Sequence, residues 1–356
     1  EAVSMIKRES ILRNYGAKGD AVDQLLEYTR NHFHHNKFTQ LEDEDFAKVW
    51  KNYRSDFSFL REKIVEFNFP IEEGMSQNDD YIAAQETGRV AEKYRRSKGI
   101  DLKSIEISSV LTPGGNMPLI ILRDRSEFER VIQCFSYNNE PGKVPKSMGA
   151  STYAGYSNWD RILSYKEEWT MATGGNEFEW AKEFEKLKNN KRLFKDSFIV
   201  LSNGPYSAVP SGDVGMGESE WKRVSLDIRK FHETTHYFTK RILGSMNNNI
   251  IDEIFCDYVG VAKATGKYNV DWALRFLGLE NYPKYRKGGR LENYASVDSE
   301  DAKKILKVLV FDAVNNMAKL PSMDEYKLIY ELSRFSLPEI AGEFDRVLYH
   351  FEEVVK

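Results

Sequence analysis

The chain has 356 residues, 41% of them hydrophobic, 30% charged and 13% aromatic, a balance that allows a substantial core and excludes wholesale disorder. The 51 Lys and Arg are outnumbered by 55 Asp and Glu, for a net charge of −4, so the basic excess of a nucleic-acid binder is missing. No apolar run of about 18 residues could span a bilayer, no basic-then-apolar leader opens the chain, and two distant cysteines, Cys134 and Cys256, make no disulfide framework; the expectation is a cytoplasmic protein with no membrane or nucleic-acid partner.

Met5-Ile6-Lys7-Arg8 reads as a natural start. Residues 20–98 read as helical: Asp20 stands where it can cap a helix carrying Val22, Leu25, Leu26 and Phe33. Phe46, Val49, Trp50, Tyr53, Phe57, Leu60 and Ile64 recur at helical spacing, and a third helix is expected over 80–97. His32, His34 and His35 fall at a fraying helix end and are expected in solvent. The basic runs at 95–98 and 188–195 are expected as solvated faces. Residues 105–111 and 119–122 read as strands around the turn residues 112–116, and 126–134 as a short helix. The Gly-, Ser- and Asn-rich stretch 136–160 carries no clear period. A helix is expected over 178–190, and the apolar run Phe198–Leu201 is a strand, either in the core or at a sheet edge where substrate backbone would pair. After the glycine-rich loop 203–217, helices are expected from 219 onward and over 302–318, 323–335 and 343–355.

The chemistry concentrates after residue 220. Trp221, Val224, Ile228, Phe231 and Thr235 repeat at helical spacing with no Gly or Pro among them. On that helix His232 and His236 lie one turn apart on one face, where two imidazoles can share one tetrahedral zinc. Glu233 projects beside the first histidine and can take a proton from a metal-bound water without being a ligand. The helix stops at Gly244. Asn248 or Asn249 can cap a second helix from Ile250 to Val261, which a short turn forces back along the first. His236 is about 12 Å from Gly244 along the helix, and Glu253 lies about 7 Å back along its partner; with its side chain added, Glu253 reaches an ion held near His236. Asp257, one turn further, would lie nearer His232. Cys256 between them is either a thiolate near the ion or a small buried hydrophobe. Asp252 is a step around the helix and expected in solvent or as support for the helix dipole.

The segment 221–261 resembles the gluzincin group of zinc metallopeptidases, the thermolysin-like enzymes, whose pattern is HExxH followed by a returning helix with Glu-x-x-x-Asp. The matching residues are His232, Glu233, His236, Glu253 and Asp257. The resemblance implies Glu253 as third zinc ligand and Asp257 as acceptor for the far nitrogen of a ligand histidine. Asp252 replaces the asparagine common before the ligand Glu, and the gap from His236 to Glu253 is short, which leaves Asp257 as the alternative ligand. Gluzincins often take an oxyanion donor from downstream; Arg290 and Tyr294, in a loop with Gly288 and Gly289, are the candidates.

The expectation is therefore an α+β protein in three regions: helical 5–100, mixed α/β sheet 101–218, and helical 219–356 with the HExxH helix, the returning helix and the C-terminal helices. Its expected function is that of a Zn2+-dependent metallopeptidase, cleaving a peptide or other amide by Glu233-assisted attack of metal-bound water. A non-catalytic, zinc-stabilised partner-binding protein and a hydrolase of small-molecule amides are the alternatives. Oligomeric state is left open.

Overall fold

The computed structural model describes residues 2–97 and 99–356; Glu1 and Lys98, the last residue of the basic run at 95–98, lie outside them. The fold is α+β, with helices and one four-stranded mixed sheet. No helix among the described residues is long and apolar enough to cross a membrane. The chain forms two compact units, one of residues 42–111 and 115–204, the other of residues 1–41, 112–114 and 205–356. These boundaries differ from the expected cuts at 100 and 218, because Leu12, Val22 and Leu25 belong to the same apolar core as the C-terminal helices.

The unit of residues 42–111 and 115–204 is built on the sheet. Strands β1 (Ile105–Thr112), β2 (Gly115–Leu122), β3 (Ala150–Ser157) and β4 (Lys195–Ser202) lie in the order β1-β2-β4-β3. Strand β4 runs parallel to β2, with Leu119 opposite Ile199, and antiparallel to β3, with Thr152 opposite Ile199. Phe198–Leu201 is thus an interior strand, fully buried, and the edge-strand expectation for it is corrected. Strand β3 lies in the stretch without a clear period. It alternates small and tyrosyl side chains on a half-exposed edge and is broken by a bulge at Gly155, φ 87°. The helix Trp159–Thr173 that follows was equally illegible. Buried Asp196 accepts from Trp50 Nε1 (2.7 Å) and Asn158 Nδ2 (2.6 Å) and pairs with Arg161, so no lone charge is left inside.

The helices before the sheet are shorter than their apolar periods. After a helix at Ala2–Asn14, the first of the expected ones is Asp20–Tyr28; its cap is Gly19, and Asp20 sits in the first turn, so the capping role expected of Asp20 is corrected. The period through Phe46 and Ile64 splits into Asp45–Trp50 and Phe57–Lys63, because Asp56 accepts from the Phe59 N–H and starts a new helix. The expected helix over 80–97 ends at Thr87 with Gly88 left-handed, φ 69°, and a second short helix follows at Glu92–Arg96.

The other unit is helical. The helix Glu218–Ile242 carries the HETTH sequence, Glu218 and Glu220 in its first turn and Lys240 and Arg241 in its last, charges that suit the helix dipole. The returning helix, Ile250–Thr265, is capped by Asn249, whose side chain accepts from the Ile251 N–H. Tyr28 ties the N-terminal segment to this corner: its hydroxyl donates to the Tyr294 carbonyl (2.7 Å) and accepts from the Ile250 N–H (3.1 Å). Helices Glu300–Met317, Glu325–Leu332, Leu337–Gly342 and Phe344–Val355 close the core with Leu309, Leu332 and Phe351.

Candidate metal centre

The returning helix lies antiparallel to the HETTH helix. Gly260 faces Ile228, Asp257 faces His232, and Glu253 faces His236. At Gly260 a Cβ would come within 2.8 Å of the Ile228 carbonyl oxygen, a main-chain atom that cannot step aside. Gly260→Ala is therefore expected to cost about 1–3 kcal/mol, as overpacking does, which equilibrium urea unfolding would measure.

At the crossing, Glu253 Oε2 lies 3.3 Å from His232 Nε2, and Glu253 Oε1 lies 3.2 Å from His236 Nε2. Zinc bonds of about 2.0–2.1 Å in a tetrahedron set neighbouring ligand atoms about 3.3 Å apart. Each imidazole therefore stands at ligand spacing from Glu253, though each from a different oxygen, and the donor set of two nitrogens and a carboxylate suits that ion. Cys256 Sγ also falls in this neighbourhood: it and a nitrogen from each histidine lie within 4.8 Å of one another. Asp257 sits one turn further on. Its Oδ1 lies 2.9 Å from Nδ1 of His232, on the far side of that ring from Nε2. The imidazole held this way turns Nε2 toward Glu253. His236 Nδ1, by contrast, is buried with no partner among the described residues.

The electrostatics follow from burial and these neighbours. Burial opposes a charge on His232, but the carboxylates of Glu253 and Asp257 outweigh it and push its pKa up to about 10. Burial would raise Glu253, but His232 and His236 hold it well below the usual carboxylate range. Asp257 is likewise kept low against burial by Arg290 and His232. Burial pushes the Cys256 thiol well above its ordinary range, with the nearby carboxylates, Glu233 among them, adding to the shift. Glu233 is half-buried, one residue on from His232, and near enough for its charge to act on that thiol.

Both loop candidates reach the site. Tyr294 is half-buried, and its phenol is pushed up by burial first and then by the nearby charge of Glu253. Arg290 is committed to holding other groups: Nη2 donates to Asp257 Oδ2 (2.7 Å), and Nη1 to the Tyr206 hydroxyl (2.7 Å) and Ser207 Oγ (3.0 Å). Tyr206 belongs to no motif in the sequence, yet its buried hydroxyl donates to Asp257 Oδ1 at 2.7 Å. A tyrosine and serine in a proline-flanked loop carry no period and no motif; only the folded turn brings them to Asp257.

Two outlying expectations are corrected. Asp252 stands in the first turn of the returning helix, where it suits the dipole, but is fully buried and not in solvent; it pairs with His32 Nε2 at 3.1 Å, because the chain past Tyr28 leaves the helix and lays His32 against the start of the returning helix. His32 is therefore not in solvent, and His35 donates to or accepts from Ser333 Oγ at 2.9 Å. His350 pairs with Glu331 at 2.8 Å in the C-terminal helices.

A family model described as a family of unknown function (DUF7005) matches residues 10–340. The chain belongs to this family. The match takes in every residue of the site just described, from Tyr206 to Tyr294, so the centre belongs to the DUF7005 region of the chain. No curated protein and no solved structure matches the chain.

Proposed function

We propose that this DUF7005 chain is a zinc-dependent hydrolase of the gluzincin type that cleaves a peptide or other amide bond. One observation carries the reading: the Nε2 atoms of His232 and His236 face the two oxygens of Glu253 at 3.3 and 3.2 Å, with Glu233 beside the first histidine. His232, His236 and Glu253 would hold the ion. When bound, zinc supplies a Lewis acid that polarises a carbonyl and makes a water more acidic. Glu233 is the proton acceptor for that water and hands the proton to the leaving amine. Asp257 fixes His232 from behind. The Tyr294 phenol, beside Glu253, is the better donor to charge developing on the carbonyl oxygen, since the terminal nitrogens of Arg290 are already engaged. A cytoplasmic location agrees with two free, buried cysteines that form no disulfide.

A second reading has one observation in its favour. Cys256 Sγ lies close enough to both histidines to complete a closed site, and a closed four-ligand zinc is structural. The protein would then bind a partner and catalyse nothing. Metal analysis of wild type, His236→Ala, Glu253→Ala and Cys256→Ser separates the two. The hydrolase reading expects about one zinc per chain in wild type and Cys256→Ser, lost from the other two. Zinc lost from Cys256→Ser and kept in Glu253→Ala would make the site structural. No zinc on wild type ends both readings.

A further inference from the structure

Building on the metal-centre reading, we infer that Arg290 and the Tyr206–Ser207 turn are its positioning device: together they lock Asp257 so that His232 presents Nε2 to the ion. The hydrogen bonds close on themselves. Asp257 Oδ1 accepts from the Tyr206 hydroxyl (2.7 Å) and lies 2.9 Å from His232 Nδ1, while Oδ2 accepts from Arg290 Nη2 (2.7 Å). Arg290 Nη1 returns to the Tyr206 hydroxyl (2.7 Å) and to Ser207 Oγ (3.0 Å). Carboxylate, phenol and guanidinium thus each orient the other two.

The turn is built for this purpose at a conformational cost. Ser207 and Ala208 are both left-handed, φ 51° and 56°, and neither is glycine. Such residues persist where surrounding contacts over-determine them. Here the Tyr206 N–H donates to Ser225 Oγ on the HETTH helix (3.0 Å), and the Tyr206 ring packs against Phe276 with centroids 4.8 Å apart. The strained turn, the HETTH helix and the loop of Arg290 therefore meet at one carboxylate.

Charge points the same way. Glu233, Glu253 and Asp257 bring three negative charges to the site, and a divalent ion with Arg290 brings three positive ones. Arg290 Nη2 lies 3.6 Å from Glu253 Oε2, so its charge acts on the ligand as well as on the residue behind the other ligand. A lysine would keep the charge but not the planar fork that spans Asp257 and the turn. Arg290→Lys therefore separates positioning from charge balance.

Zinc affinity would be measured by competition with a chromophoric chelator on wild type, Arg290→Lys and Tyr206→Phe. On the same zinc-loaded proteins, labelled with 15N-histidine, NMR would follow the His232 Nδ1 proton. Arg290→Lys is expected to weaken zinc binding about 10–100-fold and Tyr206→Phe about tenfold, the range for groups behind metal ligands. Both should shift or broaden the His232 Nδ1–H resonance while circular dichroism stays that of wild type. If Arg290→Lys does not fold, Tyr206→Phe, which loses one hydroxyl, decides alone. Wild-type affinity and an unmoved resonance in the folded variants would overturn this inference and leave the metal centre standing. No zinc on wild type would overturn both.

Discussion

Glu233→Gln is expected to lower turnover by about 10²–10⁴-fold, the usual contribution of a positioned proton acceptor, while zinc content and fold stay those of wild type. Glutamine has nearly the shape of glutamate but cannot take a proton from water at neutral pH. The ligand-spaced atoms belong to His232, His236 and Glu253, so the ion should stay bound. Glu233 is half-buried, and an amide there should be tolerated. The measurement is the rate on whichever member of an internally quenched peptide library wild type cleaves, with metal content determined on the same samples. Loss of zinc from this variant would make Glu233 a ligand. Full activity with zinc retained would remove it from the mechanism.

The site was more legible in the sequence than the fold around it. HETTH sits on a helix whose apolar period is long and unbroken, and Gly244 and Asn249 mark the turn that sends Glu253 and Asp257 back along it. Helical geometry alone then places four of the site's side chains, because fixed rise and period leave little freedom across a short helix pair. Tyr206 was illegible because its place depends on two left-handed residues, Ser207 and Ala208, that no propensity would assign to a serine and an alanine. Arg290 was found as a donor candidate, but its partners were illegible: loop residues carry no geometry in sequence, and only folding shows its fork closed on Asp257 and Tyr206. In the sheet unit, strong apolar runs such as Phe198–Leu201 declared themselves, whereas β3, an edge strand of Ser, Thr, Tyr and Gly, did not. The division into units was hidden for a related reason. Nothing local in residues 1–41 says that Leu12, Val22 and Leu25 will share a core with helices some 300 residues later.

Stripped of metal by a chelator, the protein is expected to lose stability as the pH rises from about 6.5 to 10, and zinc should abolish that loss. Two carboxylates, Glu253 and Asp257, face buried His232. They raise its pKa from an ordinary value near 6.5 to about 10. A group whose folded pKa is raised contributes stability that is complete below its unfolded pKa and fades as the pH climbs through the folded one. The imidazolium contribution is therefore present at pH 6 and gone above about 10. Glu253 and Asp257, whose pKa values are lowered, act at the other end: their contribution is present above about pH 4 and is lost as the pH falls further. The chelated protein should thus be most stable between about pH 4.5 and 6.5. Zinc would supply the positive charge between the carboxylates in place of the proton, at a ligand that must be neutral to bind. Urea midpoints at about pH 6.5 and 9.5, with chelator and with zinc, test this directly. A chelated protein equally stable at both would mean that His232 holds no proton between Glu253 and Asp257. The same flat response from His232→Gln, beside a sloping wild type, would assign the slope to this one ring.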